Sequence, residues 1–135
     1  MPILISIKPH FARAILDGNK RFEFRRKGFA TQPDCAVIYA TSPEQHIIGW
    51  FEVAGVIEDT PEALWKKCGR YGGIDREAFM AYYEGCETGY AIKVGSTYEL
   101  ATPLRLDELP EPVVAPQSFR NLAPETLDEI AGVLA

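Results

Sequence analysis

The chain has 135 residues, 47% of them hydrophobic and 24% charged, with three cysteines and a formal net charge of −5. That length suits one domain, residues 1 to 135, able to bury a core without disulfide or metal staples, and the composition excludes disordered and repeat architectures. The apolar run at Ile3 to Ile7 is broken by Lys8 and Pro9, too short for a secretory leader, and no other run reaches membrane-spanning length, so a cytoplasmic protein is expected.

Ile3 to Ile7 is rich in β-branched residues and predicts a buried strand. Pro9 then sits where proline is tolerated at the start of a helix, Phe11, Ile15 and Leu16 follow at helical spacing, and Asp17-Gly18 supplies the stop. From Lys20 to Arg26 the pattern changes to alternation, with Phe22 and Phe24 on one face and Arg21, Glu23 and Arg25 on the other, as in a half-buried strand with a solvated charged face. Residues 1 to 27 carry seven basic residues against two acids, so the remaining 108 hold a net −10. Contact with a polyanion is therefore expected at this end of the chain and not over the whole surface.

Ala36 to Ala40 predicts a compact buried strand and Ile47 to Ile57 a long one, in which Gly49 and Gly55 signal a bend or bulge. Thr60-Pro61-Glu62 is a capped helix start, with Leu64 and Trp65 inward and Gly69 as the end. Asp75 caps the next helix, where Phe79 and Tyr83 are one turn apart before Gly85. Tyr90 to Val94 and Tyr98 to Leu106 predict two more strands, Pro110, Pro112 and Pro116 an extended crossing, and residues 124 to 134 a C-terminal helix with Leu127, Ile130 and Leu134 on one stripe. The order β-α-β-β-β-α-α-β-β-α lacks strict βαβ alternation. It predicts an α+β fold, a small curled or closed barrel of about six strands flanked by three to four helices.

The segment with most chemical content is Gly18-Asn19-Lys20-Arg21-Phe22-Glu23-Phe24-Arg25. Glycine at the helix end lets the backbone turn tightly, so that Lys20 emerges at the mouth of the next strand. A lysine beside a carboxylate and guanidinium groups can hold a phosphate, neutralise developing charge or relay a proton, and it can equally be an ordinary ion-pair ladder. Gly18-x-Lys20-x-x-Glu23-x-Arg25 matches the G-x-K-x-x-E-x-R signature of the ASCH domain, a branch of the PUA-like β-barrels. Ser6 to Pro9, Tyr83 with Gly85, Ala91-Ile92 and Pro116 to Phe119 are also similar to segments of such proteins, and the resemblance spans roughly residues 3 to 122.

The resemblance implies a PUA-like barrel with a cleft between sheet and helices, in a family setting associated with RNA binding and, in some members, with amide hydrolysis of N4-acetylcytidine. Those amidohydrolases carry Thr where this chain has Glu23, and Lys66 to Gly73 here contains no carboxylate, so the chain departs from their pattern. The candidate ligand-binding residues are Lys8, Gly18, Lys20, Glu23, Arg25, Arg26, Ser118 and Arg120. Three functions stay open: a module that binds RNA, a nucleotide or a modified nucleoside; a hydrolase of RNA or a nucleoside with Lys20 and Glu23 as catalytic acid/base pair; and a protein-interaction adaptor in transcription control.

Other residues point to structure. Tyr39, Trp50 and Tyr90 could stack on bases, and packing serves them equally. Cys35, Cys68 and Cys86 lack metal-binding spacing and suit reduced thiols, while His10 and His46 have no ligand partners at useful spacing, so neither metal nor cofactor is expected. No serine lies in a nucleophile elbow. No helix has the basic face that reading duplex DNA by sequence would need.

Overall fold

A computed structural model describes residues 1 to 132. The elements run β1 (Ile3–Ile7), α1 (Pro9–Leu16), β2 (Phe22–Arg25), β3 (Cys35–Ala40), β4 (His46–Asp59), α2 (Pro61–Cys68), a 3-10 turn (Gly69–Tyr71), α3 (Arg76–Tyr82), β5 (Gly89–Leu104), a second 3-10 turn (Leu106–Glu108), β6 (Phe119–Asn121) and α4 (Pro124–Ala131). The strands form one sheet in the order β2-β5-β4-β3-β1-β6. Among the described residues only β1 and β3 pair in parallel; the other ladders are antiparallel.

The sheet curls into a half-barrel with four helices. One core, built from Ile3, Ile5 and Ile7 of β1 with Ile38, Phe51 and Ile92, is closed by Ala12 and Ile15 of α1. A second lies on the other side of β1 and β3, where Leu4 and Val37 meet Leu122 and Ile130 of the C-terminal segment. A third joins Phe24 of β2 to Leu64 and Cys68 of α2, to Phe79 of α3 and to Tyr83 at its C-terminal end. Two helix caps form as expected: Thr60 Oγ1 accepts from the Ala63 N–H at 3.2 Å and Asp75 Oδ1 from the Ala78 N–H at 2.8 Å. The β4 ladder shifts register at Ile47/Gly49 and Val53/Gly55, so the two glycines mark bulges.

Three expectations change. The strands predicted at Tyr90 to Val94 and Tyr98 to Leu106 are one element, β5, because both halves pair with the same strand β4 and Gly95-Ser96-Thr97 bends the ladder without leaving it. A strand was not expected at Phe119–Asn121, yet β6 pairs antiparallel with β1. The face expected to be solvated is so only at Arg21, which is exposed: Glu23 is 6% exposed and Arg25 8%, and Lys20, just ahead of β2, is 2% exposed. The C-terminal helix is described to Ala131, and Leu134 of its predicted stripe lies outside the described residues.

Candidate functional site

Gly18 adopts φ +84°, where a side chain would be strained, and so turns the chain out of α1 as its position suggested. The Lys20 N–H closes this turn on the Ala14 carbonyl at 3.0 Å, which fixes where its side chain starts. The Lys20 ammonium donates to the Gly72 carbonyl, faces Glu23 Oε1 at 3.5 Å, and lies 4.8 Å from the ring centre of Phe11 and 5.0 Å from that of Phe24. Burial lowers its pKa from the ordinary lysine value, with the nearby Glu23 carboxylate pulling the other way. The Gly72-Gly73 backbone is shaped for this contact. A Cβ on Gly72 would fall 2.6 Å from the Phe24 ring, and Gly73, at φ +66°, lies against the lysine stem.

Arg25 lies on the other side of Glu23, its Nη2 at 2.6 Å from Oε2. The same nitrogen donates to the Ser6 carbonyl at 2.8 Å, and Nη1 donates to the Ser118 hydroxyl at 3.0 Å. β2 is the first strand of the sheet, whereas Ser6 belongs to β1 and Ser118 precedes β6, at its far end. The guanidinium therefore spans the gap between the sheet's two ends, where no backbone ladder among the described residues closes the barrel. Its Nε is buried and has no hydrogen-bond partner among the described residues.

Two tyrosines frame this trio. Tyr83 donates to the carbonyls of Arg25 and Tyr90, each at 3.1 Å, and burial raises its pKa. Tyr82 is half-buried with Arg26 stacked 4.9 Å from its ring centre, and burial raises its pKa while Arg25 opposes the shift. Lys20, Glu23, Arg25 and Ser118 thus converge, with Arg26 at their rim. Lys8 is exposed at the start of α1. Arg120 is exposed and pairs with Leu4, which places it on the face of β6 opposite Phe119 and away from the core shared by Ile3 and Ile5. Gly72, Tyr82 and Tyr83 were missing from the sequence-based set; the Tyr-Gly-Gly run was the available signal for the first.

The aromatic candidates pack: Tyr39 lies in the core, Tyr90 covers Gly28, and Trp50 stacks on Tyr98 at 4.1 Å. Among the described residues no three His, Cys, Asp or Glu side chains group as a metal site. Cys35, Cys68 and Cys86 are free thiols, and among the described residues no helix is long and apolar enough to cross a membrane.

The ASCH domain model matches residues 5–108. This chain belongs to the ASCH domain family. An ASCH domain-containing ribonuclease of Zymomonas mobilis is 31% identical over 109 residues, covering 80% of this chain and 73% of that protein. A crystal structure of the ASCH protein from Zymomonas mobilis superposes with a TM-score of 0.90 at 28% identity, covering 99% of this chain and 96% of that one. That protein is also known as Tyr→Phe and Ser→Ala variants. The large ribosomal subunit protein uL22 of Ureaplasma parvum is 26% identical over 107 residues, which are 78% of this chain but 34% of that protein. The half-barrel fold is thus the ASCH fold, and Lys20, Glu23 and Arg25 of the signature sit in its interior.

Proposed function

We propose that this ASCH domain binds single-stranded RNA and cleaves it by acid/base chemistry at the Lys20–Glu23–Arg25 cluster. One observation carries the reading: Lys20 is 2% exposed and 3.5 Å from a carboxylate, a buried acid/base pair in which desolvation lowers the lysine pKa and so eases release of its proton. A lysine whose task was only to grip phosphate would gain most by standing in solvent with its donors free. The similarity to a ribonuclease supports the same substrate class.

In the simplest balanced scheme Glu23 takes the proton from a ribose 2′-hydroxyl as that oxygen attacks the adjacent phosphorus. Lys20 returns a proton to the departing 5′-oxygen, and the positive charge of the Arg25 guanidinium beside Glu23 offsets the charge that builds on the phosphoryl oxygens. A 2′,3′-cyclic phosphate and a 5′-hydroxyl result, and no co-reactant is consumed. Ser118 and Tyr82 border the trio with hydroxyls suited to orienting the backbone of the ligand. Reduced cysteines and an RNA substrate together favour the cytoplasm.

The alternative within the same family is binding without turnover, in which Lys20 and Arg25, with donors engaged by Gly72, Ser6 and Ser118, hold the half-barrel together and the ligand is met by exposed cations such as Arg26. Incubation of a labelled single-stranded RNA and its DNA counterpart with the protein separates the two. We expect RNA fragments ending in cyclic phosphate, uncut DNA, and a rate about 10²–10⁴-fold lower for Lys20→Ala. Salt-sensitive RNA binding with no fragments would replace the cleavage reading with the binding one.

A further inference from the structure

A groove of about 480 Å³, lined by Gly18, Arg21, Phe22, Tyr71, Lys93 and Val94, lies outside the cluster described above. Its volume falls within the roughly 300–1,000 Å³ typical of small-ligand sites. Three features mark it. Arg21 and Lys93 are exposed and, among the described residues, have no carboxylate within ion-pairing distance, although the protein as a whole is acidic at −5. The Tyr71 ring is 51% exposed, one of three large apolar side chains so displayed among the described residues, with the Arg70 guanidinium 5.6 Å above it. The segment that carries it, Lys66 to Gly73, contains no acid.

We propose that this groove is a nucleotide subsite for single-stranded RNA, with a base stacked on Tyr71 and the flanking phosphates held by Arg21 and Lys93; it rests on the reading of the domain as RNA-directed. An exposed aromatic ring bordered by unpaired cations is the arrangement that holds a single strand without reading its sequence, since every base offers a π-face and every linkage a phosphate. An unpaired cation on an acidic protein keeps its full attraction for a polyanion, because no neighbouring carboxylate competes.

The groove also shares a wall with the cluster. The Arg21 N–H donates to the Tyr71 carbonyl at 2.7 Å, and the Lys20 ammonium donates to the carbonyl of the next residue, Gly72. A strand lying over Tyr71 is therefore separated from Lys20 by one stretch of backbone, and the groove extends the RNA path beyond the reacting nucleotides. Short RNA would use the cluster alone, and longer RNA both.

The test compares wild type with Tyr71→Ala, Tyr71→Phe and the double variant Arg21→Ala/Lys93→Ala, using fluorescence anisotropy on a uridine decamer across a salt series, together with kcat and KM for its cleavage. All three changes replace exposed side chains, so circular dichroism should be unaltered. Tyr71→Ala should weaken binding about tenfold or more and raise KM more than it lowers kcat, and Tyr71→Phe should restore both. The double variant should flatten the dependence of log affinity on log salt by about 1.4, roughly 0.7 for each phosphate that is no longer neutralised. RNA bound or cut equally well by all variants would overturn the groove proposal and leave the cluster reading intact. No binding or cleavage of RNA by wild type would overturn both, and groove-dependent binding of polyglutamate in place of RNA would assign the groove to an acidic protein partner.

Discussion

Two arginine–glutamate pairs in this domain have almost the same geometry and opposite settings. Arg25 meets Glu23 at 2.6 Å with both side chains under a tenth exposed, while Arg76 meets Glu62 at 2.5 Å with the side chains 50% and 59% exposed. Distance alone would value them equally. Water decides otherwise, because at the surface it screens the pair and stands ready to solvate either partner alone, whereas inside the half-barrel nothing replaces a lost partner. The buried pair is a commitment in which Lys20 also shares, and the exposed pair is a convenience of the surface.

The sharpest way to break this comparison is Glu23→Gln. It leaves Lys20 and Arg25 buried with no counter-charge, and we expect a loss of about 3–5 kcal/mol in urea unfolding, against about 0.2–1 kcal/mol for Glu62→Gln. Equal losses from the two would mean that water reaches the interior cluster. Next in size is Gly72→Ala, whose new methyl group would meet the Phe24 ring and press on the carbonyl that accepts from Lys20. Overpacking of this kind costs about 1–3 kcal/mol, and cleavage should fall by more than the fraction unfolded accounts for.

The sign of the Lys20 shift gives a third test. A lysine with a lowered pKa in the fold releases its proton before the unfolded chain does, so the unfolded state binds more protons between the two values. Its contribution to stability therefore rises with pH from its folded value toward the ordinary 10.5. The stability of wild type relative to Lys20→Met, measured from pH 7 to about 9.5, should shift in favour of wild type, below the region where the buried tyrosines would titrate. A difference that stays flat or falls would show that the pairing with Glu23 outweighs desolvation.

Much of this architecture was legible in the residues. The caps at Thr60 and Asp75, the glycine turn at Gly18 and the bulges at Gly49 and Gly55 are local events with local causes. The signature around Lys20 was also visible, but not its burial: alternation in β2 separates Phe22 and Phe24 from Glu23 and Arg25 without saying whether one face is covered or both. Both are covered here, one by α2 and α3 and the other by the turn of the barrel. β6 was hidden because three residues are too few to show a period, and β5 looked like two strands because Gly95-Ser96-Thr97 resembles a turn until its common partner β4 is known. Gly72 contributes a carbonyl, which every residue possesses, so only the need for a missing side chain distinguished it.

Glu62→Gln is the smallest of these effects and the one that tests the principle behind the others. Arg76 can also rest near Trp65, whose ring centre is 5.9 Å from its guanidinium, so losing Glu62 leaves it with solvent and an aromatic face. Glu62 also stands in the first turn of α2, where a negative charge complements the helix dipole, and its removal forfeits a few tenths of a kcal/mol by that route as well. A double-mutant cycle with Arg76→Ala separates the two contributions: the coupling between Glu62 and Arg76 should be at or below about 0.5 kcal/mol and fade with added salt. The same cycle across Glu23 and Arg25 should give a coupling several times larger and nearly independent of salt. If the exposed pair coupled as strongly as the buried one, pair geometry and not the loss of water would be the source of the strength of the interior cluster.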